Sequence, residues 1–159
     1  MYRFFSIIIL FLALTSCEDQ VKFNNPAVQA LRDNEPWRAT LFTAVQAPDG
    51  SLTIRAVQTN EVLTLKTVNA TVNTYILGLD DINKVSLEKK EGDVITVFST
   101  DENIGNGQII ITELDAVNHT VTGEFTFNAI NESLDSSVKL HVNFQKGVFY
   151  KVPVTKGSK

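Results

Sequence analysis

From Trp37 to Val154 apolar side chains recur at every second residue in short runs, and each run ends in turn-forming residues. Trp37, Ala39, Leu41, Thr43 and Val45 alternate with Arg38, Thr40, Phe42, Ala44 and Gln46, and Leu52, Ile54 and Ala56 with Thr53 and Arg55. Successive side chains of an extended chain point to opposite faces, so this period turns one face to a core and the other to water. Pro48-Asp49-Gly50-Ser51, between the two runs, sets φ at proline and tolerates a positive φ at glycine, which predicts a hairpin. Val62 to Val68, Thr71 to Leu77, Lys84 to Leu87 and Val94 to Ser99 are further strand candidates, broken by Gly78, Asp80-Asp81 and Glu91-Gly92-Asp93.

The last third has the clearest pattern. Val121, Gly123, Phe125, Phe127 and Ala129 alternate with Thr122, Glu124, Thr126 and Asn128. The six residues Asp115 to Thr120 separate this run from Ile109-Ile110-Ile111, which suits an antiparallel hairpin. Ile109 and Ile111 share a face that Leu114 does not, so a bulge is expected near Thr112-Glu113. Gly123, between inward apolar positions, either admits a close approach or bend, or is merely tolerated. Val138, Leu140, Val142 and Phe144 alternate again, and Val148 to Val154 reads as an edge strand whose pairing Pro153 limits. About eight or nine short strands at this spacing predict an all-β domain over 37–159, an antiparallel β-sandwich or calycin-like small barrel. Ahead of it, Asn25-Pro26 reads as a helix start and Asn34 as its end, with Ala27, Val28 and Leu31 on one face.

The first sixteen residues are not part of that fold. Met1-Tyr2-Arg3 is a short basic start, Phe4 to Leu14 an apolar run broken only by Ser6, and Thr15-Ser16 supply small residues before Cys17. This is the pattern of a secretory signal. Its eleven apolar-run residues fall short of the ~20 that span hydrocarbon as a helix. Leu14-Thr15-Ser16-Cys17 resembles the lipobox of bacterial lipoproteins, in which the cysteine is lipidated and becomes the first mature residue. The resemblance implies a diacylglycerol and an amide-linked acyl chain such as palmitate on Cys17, and more than one acyl chain gives lasting attachment. The expected organisation is a signal peptide over 1–16, a lipid-anchored tether with a short helix over 17–36, and the β domain over 37–159. Glu18-Asp19 after the cysteine resembles the export signal of Bacteroidota surface lipoproteins.

Composition bounds what the mature part can do. Of 159 residues, 143 remain after the first 16, enough for one domain with its own core. Cys17 is the chain's one cysteine, so no disulfide can staple that core. Without Arg3 the 13 basic and 18 acidic side chains sum to a formal charge of −5, which disfavours nucleic acid as a partner.

Asn24-Asn25-Pro26-Ala27-Val28-Gln29-Ala30-Leu31-Arg32-Asp33-Asn34, with Trp37-Arg38-Ala39 after it, resembles the mature start of an uncharacterised family of flavobacterial lipoproteins. Asn73-Thr74-Tyr75, the Gly107 to Leu114 strand and Thr122-Gly123-Glu124-Phe125-Thr126-Phe127 resemble its later landmarks. The resemblance implies a β-rich envelope lipoprotein and carries no activity with it.

Motifs for chemistry are sparse. His119 falls in an expected turn and His141 on a polar strand face, and neither sits at metal-ligand spacing with other donors. Asp101-x-Asn103-x-Gly105 has the alternate oxygen ligands of a calcium loop, yet its twelfth position is Thr112 rather than a glutamate. The pairs Asp80-Asp81, Glu113 with Asp115 and Glu132 with Asp135, and Glu113 facing Glu124 across the hairpin, are the available carboxylates for acid-base hydrolysis. Trp37, Tyr75 and Tyr150 suit either sugar stacking or core packing. Asn69, Asn118 and Asn131 head glycosylation-like triplets that turn preference explains equally well. The expectation is a non-catalytic binding or interaction module of the outer membrane, with no cofactor, anchored through Cys17 and contacting an unidentified protein or small-molecule ligand. The alternatives are an assembly accessory without a ligand and a carboxylate-dependent hydrolase.

Overall fold

The computed structural model describes residues 25–131 and 140–158. Among them the chain forms eleven strands in sequence order: β1 (Ala27–Arg32), β2 (Glu35–Arg38), β3 (Leu41–Gln46), β4 (Leu52–Gln58), β5 (Glu61–Thr67) and β6 (Asn73–Leu77). These are followed by β7 (Lys84–Glu91), β8 (Val94–Ser99), β9 (Asn106–Asp115), β10 (Thr120–Asn131) and β11 (His141–Lys156). All belong to one sheet in the order β2-β1-β11-β3-β4-β5-β7-β8-β10-β9-β6, and β10 also pairs with β11. The pairings from β11 through β3, β4, β5, β7, β8 and β10 therefore return to β11. Two seams complete that circuit. One is the parallel pairing of Val154, Thr155 and Lys156 with Ala44, Val45 and Gln46. The other is the short antiparallel match of Ile130 with Ser99 and Asn131 with Phe98.

The inward positions of every strand meet in one apolar cluster. Leu52, Ile54 and Ala56 of β4, Leu63 and Leu65 of β5, and Val85 and Leu87 of β7 supply one part. Val121, Phe125, Phe127 and Ala129 of β10 supply another, with Phe144, Phe149 and Val152 of β11. The rings of Phe127 and Phe144 stack at 4.8 Å between centroids, and Trp37 meets Phe144 edge-on at 5.5 Å, both arrangements that aromatic quadrupoles favour. These side chains fill the space between the strands.

The hairpins follow from their turn residues. Gly50 has φ 91 behind Pro48, and Gly50 N–H donates to Ala47 O at 2.9 Å. At the β7–β8 turn Gly92 alone takes a positive φ, 61, which is what a type II′ turn asks of its first central residue. The bulge at Thr112 is present: Thr122 faces Glu113 while Gly123 faces Ile111, leaving Thr112 as the extra residue.

Four expectations are corrected. Residues Ala27–Arg32 form β1 and not a helix. Asp33 and Asn34 are the two central residues of a tight hairpin, with φ 51 and 69, between paired Arg32 and Glu35. Both positive angles mark a type I′ turn, which asparagine and aspartate tolerate because they bond locally. The sheet therefore begins at Ala27 instead of Trp37. The run from Trp37 to Gln46 is not one strand: the chain breaks at Ala39-Thr40 between β2 and β3, and the alternation changes phase there. Trp37 and Ala39 are buried, whereas beyond the break Ala44 points inward and Leu41 is 68 % exposed.

Finally, 148–154 is no edge. It is part of the long β11, which bonds β10 on one side and both β1 and β3 on the other. Val154 N–H donates to His119 O on the β10 side, so the nitrogen of Pro153 faces the gap on the other side, between the pairing with β1, which stops at Tyr150, and the pairing with β3, which starts at Val154.

Candidate functional site

The outward side chains of β9, β10 and β11 form a polar face in register. Asn106, Asn128 and Asn143 lie opposite one another across the three strands, and Gln108 lies opposite Thr126. Asn128 Nδ2 donates to Asn106 Oδ1 at 2.9 Å, Asn143 Nδ2 to Asn128 Oδ1 at 2.6 Å, and Gln145 Nε2 to Asn143 Oδ1 at 2.7 Å. The row is tied to the β1–β2 turn, where Asp33 Oδ1 accepts from Asn143 N–H at 3.0 Å. Sheet register thus fixes an amide ladder that sequence distance hides.

Beside the ladder β11 bulges. Phe127 faces Phe144 and Phe125 faces Gly147, so Gln145 and Lys146 together oppose Thr126. Lys146 takes φ 49, a left-handed conformation in which its Cβ crowds its own carbonyl. A bulge re-aims the side chain it carries. Here the result is a depression of about 210 Å³ rimmed by Gln108, Ile110, Glu124, Thr126 and Lys146, with buried Phe125 and Gly147 beneath. Among the described residues, Gln108, Glu124 and Lys146 have no side-chain hydrogen bond or ion pair. Gly147 leaves room for the base: a Cβ there would lie 2.5 Å from the Phe125 ring.

Of the residues singled out from sequence, Glu124 stands on the rim of this depression, and most of the others lie elsewhere. Cys17, the signal and the tether lie outside the described residues, as do Glu132 and Asp135. His119 occupies the β9–β10 turn, while His141 pairs with Ile130 at the far end of β10, about 33 Å along the strand. Asp101 is held by Lys84 Nζ at 2.7 Å, and its chain closes a tight turn with Ile104. The lysine bond, followed by the Glu102 N–H, keeps the Asp101 carboxyl below its ordinary 3.8, so the residue that would open the calcium-like loop already has a cation. Among the described residues no three His, Cys, Asp or Glu come together as metal ligands.

Glu113 faces Thr122, and Glu124 faces Ile110, so the two glutamates are not paired across the hairpin. Asp80 Oδ1 accepts from the N–H groups of Ile82 and Asn83 and closes a turn. Trp37 and Tyr75 are core residues, with the Tyr75 hydroxyl donating to Thr71 O at 2.8 Å. Tyr150 is half-buried beneath Lys151 Nζ, 5.3 Å from its ring centroid. Asn69 bonds Thr71 and Tyr75, and Asn118 bonds Asp115. Both asparagines thereby serve turns.

One buried constellation had no local signal. Glu61, 4 % exposed, opens β5 and accepts from Trp37 Nε1 at 3.0 Å and from Arg32 Nη1. Its partners are 24 and 29 residues away in sequence, and only the closed circuit of strands brings β1 and β2 against β5. With both carboxylate oxygens engaged, Glu61 links two regions of the sheet that share no backbone pairing.

A family model, described as a domain of unknown function (DUF6252), matches residues 24–153. No curated protein matches the chain, and no solved structure does.

Proposed function

The chain belongs to the DUF6252 family, and from that premise we propose that it is a lipid-anchored binding module of the bacterial cell envelope, outer membrane included. Acyl chains on Cys17 hold the base, and the outward face of β9, β10 and β11 makes the contacts. The observation that carries this reading is the rim of the depression, where Gln108, Glu124 and Lys146 stand without partners beside a fixed amide row. The interior, filled by Trp37, Phe125, Phe127 and Phe144, moves recognition from a barrel mouth to an outer surface. The circuit of pairings supports a closed barrel over two separate sandwich sheets.

Labelled palmitate tests the anchor: the wild-type chain takes up label and is cut before Cys17, and Cys17→Ala stays an unlabelled, uncut precursor. A Cys17→Ala protein that is still cut at the same bond and sediments with washed membranes refutes it.

A second reading, an assembly accessory, is favoured by β6. This five-residue strand ends the sheet, carries neither charge nor proline, and shows Ile76 42 % exposed. The opposite terminal strand, β2, is guarded by Glu35, Pro36 and Arg38. If β6 is the contact, Ile76→Lys abolishes co-purification of a stoichiometric protein partner while leaving palmitate uptake intact.

A further inference from the structure

We propose that the depression beside Lys146 holds one ring of a saccharide chain, and that the chain runs on over the amide row of Asn106, Asn128 and Asn143. This rests on the binding-module reading and names the ligand class of that face.

The rim decides the chemistry. Lys146 can only donate, Glu124 as a carboxylate can only accept, Thr126 Oγ1 already donates to Phe144 O and is left to accept, and Gln108 can do both. A ligand that satisfies all of them carries several groups that are each donor and acceptor, closely spaced on a small frame. Sugar hydroxyls have that property. A lone anion meets the Glu124 carboxylate, a lone cation meets the Lys146 ammonium, and an apolar ligand strips water from polar groups without replacing it. Ile110, with Phe125 and Gly147 beneath, offers an apolar patch for the C–H face of a ring.

Size and strain add to this. About 210 Å³ falls below the ~300–1,000 Å³ of pockets that enclose a whole small molecule, so one ring would be seated and its neighbours would lie on the open sheet. The amide row is ready for them. One N–H of Asn128 and one of Asn143 is used within the ladder, which leaves the other N–H of each for a ligand, while Asn106 Nδ2 is a donor toward neither neighbour. Lys146 sits at a backbone conformation where glycine would be relaxed, and it is the bulge's strained residue that reaches the rim.

The test is affinity electrophoresis of the full chain in non-ionic detergent, through native gels containing mannan, β-1,3-glucan or glycol chitin. At least one of these retards the wild-type protein, and 0.5 M sodium chloride does not abolish the retardation. Lys146→Gly and Gln108→Ala each weaken it about tenfold or more. Lys146→Gly relieves the backbone, so an unreduced melting temperature in that variant excludes misfolding as the cause. Migration unchanged by all three polysaccharides overturns the proposal, as does wild-type retardation of Lys146→Gly, or retardation lost in salt. Each of these leaves the palmitate result untouched, so failure of the ligand class is separable from failure of the anchor.

Discussion

Gly123 and Gly147 face aromatic rings across the same pair of strands, in opposite directions. Gly123 lies opposite Phe149 and Gly147 opposite Phe125, so each ring covers the gap where the other strand lacks a side chain. A Cβ on Gly123 would come 2.1 Å from Ile110 O and 2.3 Å from Phe149 Cζ. Gly123→Ala is therefore expected to destabilise by about 1–3 kcal/mol, read by urea unfolding. Lys146→Gly acts in the other direction. Removing a left-handed Cβ at φ 49 should raise stability by about 1 kcal/mol in the same measurement. At Glu61, truncation to alanine leaves the buried Trp37 indole N–H without its acceptor, a loss of about 1–3 kcal/mol. Trp37 emission shifting to the red in Glu61→Ala would report the same loss. The sequence marks Gly123 plainly, because glycine stands out in an apolar alternation. It does not mark Lys146, since nothing about a lysine between Gln145 and Gly147 announces a left-handed bulge.

Strands were legible where turn chemistry and alternation agreed. The β3–β4 hairpin joins two period-two runs through Gly50, while at β7–β8 and β9–β10 the turns themselves, Gly92 and the Asp115 loop, are the clearer mark. β1 reads as a helix in the sequence because Asn25-Pro26 has the chemistry of a helix start, and six residues are too few to separate a period of 2 from one of 3.6. The informative residues were Asp33-Asn34, a hairpin signal that a helix reading takes for a stop. Asn34, with φ 69, sits where type I′ turns favour glycine, so Asn34→Gly should hold or slightly raise the melting temperature and Asn34→Val should lower it.

Three turns also tie stability to pH. The Asp49 carboxyl is bonded by the Ser51 hydroxyl and then its N–H, and Asp115 by the Asn118 side chain and then its N–H. With Asp101 held by Lys84, all three titrate below their ordinary 3.8. A depressed carboxylate stabilises the fold fully above the unfolded value and loses that contribution as pH falls through the folded one. The melting temperature should therefore fall on acidification below about pH 4, and more gently in the Asp49→Asn, Asp101→Asn, Asp115→Asn triple variant.

The whole molecule depends on two short seams. Ladders such as β4–β5 and β9–β10 join neighbours in sequence, whereas β11–β3 joins residues more than a hundred positions apart through Val154 to Lys156 and Ala44 to Gln46. No periodicity encodes such a match, because pairing partners in a closed circuit depend on the summed tilt of all the strands between them. Deleting residues 154–159 should speed amide exchange at Ala44 and Gln46, which face β11, while Val45, paired with β4, and Ile109–Ile111 keep comparatively high protection. The parallel seam also sets a clock for biogenesis. A chain leaving a ribosome or a translocation channel start-first cannot latch β3 until its closing strand has come through, so its early two-thirds stays pliable during transit and locks only afterward.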